Sequence, residues 1–158
     1  MWAARGYKDW DGVTKKPWSA AFISWVIERA GYTDFLFAVG HAKYIQQAIH
    51  RREIGENGPF WGFRLNEHKP QLGDIVCIDR SNQGIDYDYA EDHDRYDSHC
   101  DIIVQLRPDS VRTIGGNTGQ SEFGHNGSVA MKTMPLDANG FLTAGGRRFA
   151  ILRNNFNT

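Results

Sequence analysis

The sequence is poor in cysteine, with Cys77 and Cys100 as its two thiols in 158 residues. Two are too few for a disulfide-stapled scaffold, which small secreted domains need when their core is insufficient. No apolar run approaches the length of a membrane-spanning helix, so no membrane span is expected. Neither sign of charge dominates: 18 basic residues face 19 acidic ones, a formal net charge of −1. That balance argues against a dedicated nucleic-acid binder, which carries a basic excess on one face. Met1-Trp2-Ala3-Ala4-Arg5 is not followed by an apolar core segment, so no secretory signal peptide is expected. The chain is then cytosolic, exported by another route, or excised from a longer protein. What is present describes an ordinary globular protein, 41% hydrophobic, 13% aromatic and 23% charged, and residues 1–158 have the size of one domain.

Apolar residues at helical spacing (Ala20, Phe22, Ile23, Val26, Ile27 and Ala30) predict a largely buried helix over 19–30, entered through Pro17 and stopped by Gly31. A second helix is expected over 41–52, with Tyr44, Ile45, Ala48 and Ile49 on its apolar stripe. Residues 53–70, rich in Gly, Pro and aromatics, read as loop. Strands follow at 74–79, 99–106, 110–114, 128–134 and 148–152, the third ended by Gly115-Gly116. Between the first two strands, Asp86, Asp88, Glu91, Asp92, Asp94 and Asp97 form a long acidic loop. Such a loop is a solvated surface, or steers a cationic substrate or binds calcium, although EF-hand spacing is absent. Helices first and a meandering antiparallel sheet afterwards make an α+β fold.

Ser19 opens the first helix, where unpaired backbone N–H groups and the positive dipole end favour a developing anion. Serine is also a preferred N-cap, and capping alone explains most serines there. Alternation along a strand puts His99 and Asp101 on one face and turns Cys100 to the other. An imidazole and a carboxylate are thereby paired, and Cys100 is removed as a nucleophile for His99. Asn117, after Gly115-Gly116, is either a turn residue or a group that orients His99. His41, after Gly40, reads by itself as a cap or a surface residue. Cys77 and Cys100 lie on strands expected to be neighbours, as buried thiols or as a cross-strand disulfide. Trp10, Trp18, Trp61, Phe60 and Phe63 serve a core or line a groove for sugar or peptide.

Four segments together carry a resemblance. Trp18-Ser19-Ala20-Ala21-Phe22-Ile23-Ser24-Trp25-Val26 resembles the W-C-A-x-F-V signature of papain-like cell-wall hydrolases. Pro70-Gln71-Leu72-Gly73-Asp74-Ile75-Val76 resembles their P-x-x-G-D-I-V strand entry, Ser98-His99-Cys100-Asp101-Ile102-Ile103-Val104 their G-H-V-G-I-V strand, and Ile114-Gly115-Gly116-Asn117 their G-G-N element. Order and spacing agree over about residues 17–153. The relatives so indicated are the CHAP amidases and NlpC-type peptidases. A bacterial family of unknown function with W-S-A-A-F-I-S and H-C-D motifs is closer still. Such domains occur in lytic enzymes and interbacterial toxins.

The resemblance implies a papain-like fold with N-terminal helices packed on an antiparallel sheet. It places Ser19 at the nucleophile site, His99 at the base site and Asn117 at the orienting site. It also implies action on peptidoglycan peptide stems in the bacterial periplasm or cell wall, and an immunity or carrier protein as partner. The chain departs from the pattern in carrying serine for cysteine and Asp101 for a small residue. A thiol, with a free pKa of about 8.5, is readily ionised beside histidine, whereas a serine hydroxyl needs an aligned base. Three mechanisms follow. Ser19 and His99 act as a hydrolase pair, with Asn117 or Asp101 orienting the imidazole. Alternatively His41, His99 and Asp101 hold zinc, whose bound water replaces the thiolate; this reading is preferred, because a buried carboxylate beside histidine needs a cation or donor. In the third, the module is catalytically silent and binds muropeptide or a protein.

Overall fold

A computed structural model describes residues 17–120 and 126–156; Trp10 and His125 lie outside them. Two helices lead the chain, α1 (Ser19–Arg29) and α2 (His41–Glu53). They are followed by β1 (Phe60–Phe63), β2 (Ile75–Asp79), α3 (Tyr87–Asp92), β3 (Ser98–Leu106), β4 (Ser110–Gln120), β5 (Asn126–Pro135), a 3-10 turn (Gly145–Arg147) and β6 (Arg148–Asn154). The strands form one antiparallel sheet in the order β1-β6-β2-β3-β4-β5. The α+β reading therefore holds. Among the described residues no helix is long and apolar enough to cross a membrane.

Alternation along β2 and β3 feeds two cores. Ile75, Cys77 and Cys100 join Ile23, Ile27, Tyr44, Ile45 and Ile49 of the helices in the larger one. Val76 and Ile103 point into a smaller cluster with Val111, Met134, Leu142 and Ile151. The helices are entered and left much as the sequence suggests: α1 ends at Arg29, capped by Ala30, with Gly31 at φ 96°, the left-handed conformation that glycine adopts without strain.

Three expectations are corrected. Residues 53–70 are not all loop, because Phe60–Phe63 pairs with β6 and so supplies the sheet's edge. The acidic segment is not all loop either: Asp86 caps α3 by accepting from the Tyr89 N–H at 2.8 Å, which satisfies one orphan donor at the helix start. And β4 does not stop at Gly115-Gly116. It runs on to Gln120, pairing with β5 on both sides of a bulge between Gly115 and Thr118.

Cys77 and Cys100 face each other across β2 and β3 and are joined in a disulfide, both fully buried. The four described residues of the aromatic set Trp10, Trp18, Trp61, Phe60 and Phe63 do not form one groove. Phe60 belongs to the core against Tyr32 and Phe35. Trp61 and Phe63 flank the Arg153 guanidinium, and Trp18 packs edge-on against Phe22.

Candidate functional site

Ser19 is the first residue of α1, but its hydroxyl does not cap the helix. The N-cap is Trp18, with no side-chain cap hydrogen bond. The Ser19 Oγ lies 2.6 Å from His41 Nε2 instead. His41 opens α2 behind Gly40 and is neither a cap nor exposed. Its other ring nitrogen, Nδ1, meets the Tyr44 hydroxyl one turn along the same helix face. The three side chains thus form one buried chain, Ser19–His41–Tyr44. Burial, the nearby His99 and the Arg80 charge hold the His41 imidazole well below its ordinary value of 6.5. Burial, helped by Tyr96 and Asp101, pushes the Tyr44 phenol well above its own. Both groups are therefore neutral. Neutral His41 carries one ring proton. With Nδ1–H donating to Tyr44, Nε2 is free to accept from the Ser19 hydroxyl.

A second pair stands beside this chain. His99 and Asp101 share one face of β3, as alternation requires, and the His99 Nε2–H donates to Asp101 Oδ1 at 2.8 Å. The Lys132 ammonium, from β5, reaches Asp101 Oδ2 at 3.1 Å and Oδ1 at 3.3 Å, and the Thr113 hydroxyl donates to Oδ2 at 3.4 Å. Asp101 is buried to 1% exposure, whereas Lys132 keeps 36% of its side chain open. Burial drives the Asp101 carboxyl upward, but the His99 and Lys132 contacts prevail and hold it below its ordinary range. The carboxylate is thus ionised and compensated. The His41 and His99 ring centroids are 5.6 Å apart, so the two clusters adjoin.

The Gly115-Gly116 pair explains how strand and helix come this close. A Cβ on Gly115 would collide with Asp101 and lie 2.9 Å from His99 Nε2. One on Gly116 would lie 2.6 Å from the Trp18 ring and 2.7 Å from Phe22 Cβ. These glycines serve close approach, not a turn. Asn117 follows at φ 58°, the left-handed region where asparagine is one of the tolerated residues. It lines the same shallow cleft as His99, yet it is Asp101 and not Asn117 that hydrogen-bonds the His99 ring.

The structure thus brings Ser19 to His41, and His99 to Asp101. It gives Ser19 a different histidine partner from the one placed at the base site by position along the chain. Sequence reasoning missed Tyr44 as a partner and Lys132 altogether. Tyr44 was detectable in principle, three residues after His41 on a helix. Lys132, in an edge strand, reads as any solvated lysine. His41, His99 and Asp101 do not make a donor set that fits zinc. Both nitrogens of His41 are engaged, and Lys132 already sits against Asp101 and His99 Nε2, the latter at 3.2 Å. Among the described residues no group of three or more His, Cys, Asp or Glu is placed to hold a metal ion.

Fold and site together define an α+β protein in which a helix-start serine meets a buried histidine beside an antiparallel sheet. The chain belongs to a bacterial family described as an uncharacterized protein conserved in bacteria (DUF2272), whose sequence model matches residues 4–156. No curated protein and no solved structure matches it.

Proposed function

We propose that the protein is a papain-like hydrolase of amide bonds in bacterial cell-wall peptide, with Ser19 as nucleophile and His41 as general base. The observation that carries this reading is the Ser19 Oγ to His41 Nε2 contact of 2.6 Å. It joins a nucleophile to a base whose other nitrogen is held by a third group, which is triad logic with tyrosine in the third place. The first intrahelical bond of α1 runs from the Phe22 N–H to the Trp18 carbonyl, so the N–H groups of Ser19, Ala20 and Ala21 have no helical acceptor and can receive an oxyanion. The four motifs of the resemblance and a leading helix packed on an antiparallel sheet support the substrate class. The buried Cys77–Cys100 disulfide supports an oxidising site of action such as the periplasm. An immunity or carrier protein is the partner such an enzyme would need if it acts between bacteria.

The reaction needs His41 to take the Ser19 proton as Oγ attacks the carbonyl carbon, then to return it to the leaving amine; water repeats the cycle on the acyl-enzyme. His99–Asp101 acts as a second, charged element next to the reacting centre.

One observation favours a second reading, a binding module without catalysis. Ser19 is 2% exposed, and the environment that lowers His41 also weakens it as a base. Peptidoglycan digestion separates the two. The wild type should release new amines, a fluorophosphonate probe should label Ser19, and Ser19→Ala and His41→Ala should each lose about 10³-fold or more in rate. Retention of peptidoglycan without amine release would establish the binding module instead. A chelator that silences the wild type, with zinc restoring it and Ser19→Ala retaining activity, would return the mechanism to a metal-bound water.

A further inference from the structure

Beside His99 the surface opens into a cleft of about 200 Å3, and its charge is one-sided. Arg80 enters from the end of β2, Lys132 from β5 and Arg147 from the 3-10 turn before β6, with His99, Asn117 and Thr118 between them. Among the described residues no carboxylate lines it. Asp101 is buried behind Lys132 and already matched by it. Three arginines elsewhere are neutralised by carboxylates: Arg51 meets Asp34 at 3.1 Å, and Arg52 and Arg64 meet Glu67 and Asp88. Arg80 and Arg147 have no carboxylate partner among the described residues. Arg147 donates one N–H to the Arg80 main-chain carbonyl at 3.1 Å, and among the described residues no other hydrogen bond engages either guanidinium.

Backbone strain marks the same place. Three non-glycine residues among those described have positive φ, and two of them, Asn117 at 58° and Arg147 at 63°, line this cleft. Left-handed backbone is tolerated at asparagine but costs energy at arginine, and such conformations gather where a side chain must be presented in one direction. Here Gly146 precedes Arg147 and is itself left-handed, at φ 69°.

We propose that this cleft is an anion subsite that binds a carboxylate of the peptide substrate next to the bond attacked by Ser19, with Arg80 and Arg147 as its specificity-determining residues. The proposal rests on the amide-hydrolase reading of the Ser19–His41 site. A guanidinium fork matches the planar, two-oxygen geometry of a carboxylate, and two arginines line this cleft. The volume falls below that of drug-sized sites and suits the end of one amino-acid side chain or a chain terminus. The cleft reaches the Ser19–His41 pair through His99, whose ring neighbours that of His41.

The test uses full-length Ser19→Ala protein, so that no turnover intervenes, and follows binding by NMR titration with N-acetyl-alanyl-glutamate, its doubly amidated counterpart and inorganic phosphate. The acid should bind about tenfold or more tightly than the amide, as expected for a charge-assisted contact. Arg80→Gln and Arg147→Gln should each remove most of that preference and leave amide binding unchanged. Arg147→Gly should remove it too while raising the melting temperature, because glycine suits the left-handed backbone; a merely structural Arg147 would show the second effect without the first. Equal binding of acid and amide, or an acid preference untouched by both arginine changes, overturns the proposal. Phosphate binding more tightly than the dipeptide acid overturns the assignment to a peptide carboxylate. A wild type without hydrolytic activity would fail the parent reading and leave these binding differences standing. Absence of an acid preference in the Ser19→Ala protein, with hydrolysis by the wild type intact, would fail the subsite alone.

Discussion

Two clusters meet at the site and are stabilised in opposite ways. Ser19–His41–Tyr44 is carried by helix starts, is fully buried and is neutral throughout. His99–Asp101–Lys132 is carried by the sheet and is ionised, its buried carboxylate matched by a lysine that keeps contact with water. Burial disfavours the charged form of any group, so the first cluster survives by shedding charge and the second by compensating it. The positive ends of α1 and α2 reinforce the division, since they disfavour a cation on His41 and suit an anion forming at Ser19. A neutral acceptor for the serine proton beside a ready-made field is a sensible division of labour for acyl transfer.

The largest effect that tests this contrast is removal of the charged cluster's anion. Asp101→Ala leaves the His99 N–H and the Thr113 hydroxyl without their acceptor and Lys132 without its counter-ion. It should cost about 3 kcal/mol in urea unfolding, near the lower end for a broken buried pair because Lys132 can turn to solvent. Tyr44→Phe removes an acceptor from the neutral chain and should cost about 1–2 kcal/mol, the penalty for one buried donor left unpaired. Equal costs would mean that charge does not distinguish the clusters.

Next comes the disulfide beneath them. The Cys77→Ala/Cys100→Ala double variant should lose about 3 kcal/mol, as removal of a 23-residue closure implies. Peptide hydrolysis should persist in the folded fraction, because Cys100 faces away from His99 and Asp101 along β3. A well-folded double variant with no activity would show that the cross-strand link positions the His99 cluster.

Much of this arrangement was legible along the chain, and the two missed contacts, Ser19–His41 and Lys132–Asp101, have a common cause. Helical spacing placed Ser19 and His41 at helix starts, and strand alternation paired His99 with Asp101 and turned Cys100 away. Those are local periodicities. The Ser19–His41 contact spans 22 residues and depends on how α1 and α2 pack, which periodicity does not encode. Lys132 is invisible for the same reason: only the β4–β5 pairing brings it over Asp101. Gly115-Gly116 carried the right signal but the wrong inference. The pair predicts a strand end, whereas the structure needs glycine there because Asp101, His99, Trp18 and Phe22 leave no room for a side chain. Phe60–Phe63 was hidden by its flanking glycines and aromatics.

The smallest effect is the pH response of the neutral cluster. His41 has a folded value well below its ordinary 6.5, so the unfolded chain binds a proton at a pH where the folded protein does not. Stability from this group is therefore complete above about pH 6.5 and declines as pH falls below it, until the folded value is reached. One proton over the 1.5 units from 6.5 to 5 bounds the loss at about 2 kcal/mol. Asp101 works in a different window. Its folded value is depressed below the ordinary 3.8, so its contribution is intact at pH 5 and is lost only as the pH falls through that lower value. Thermal unfolding of the wild type and of His41→Gln at pH 7 and pH 5 isolates the imidazole, since the remaining groups titrate in both proteins. The wild type should lose more of its melting temperature on acidification than His41→Gln does. Equal losses would show that His41 accepts a proton within the fold and would end the description of its cluster as neutral.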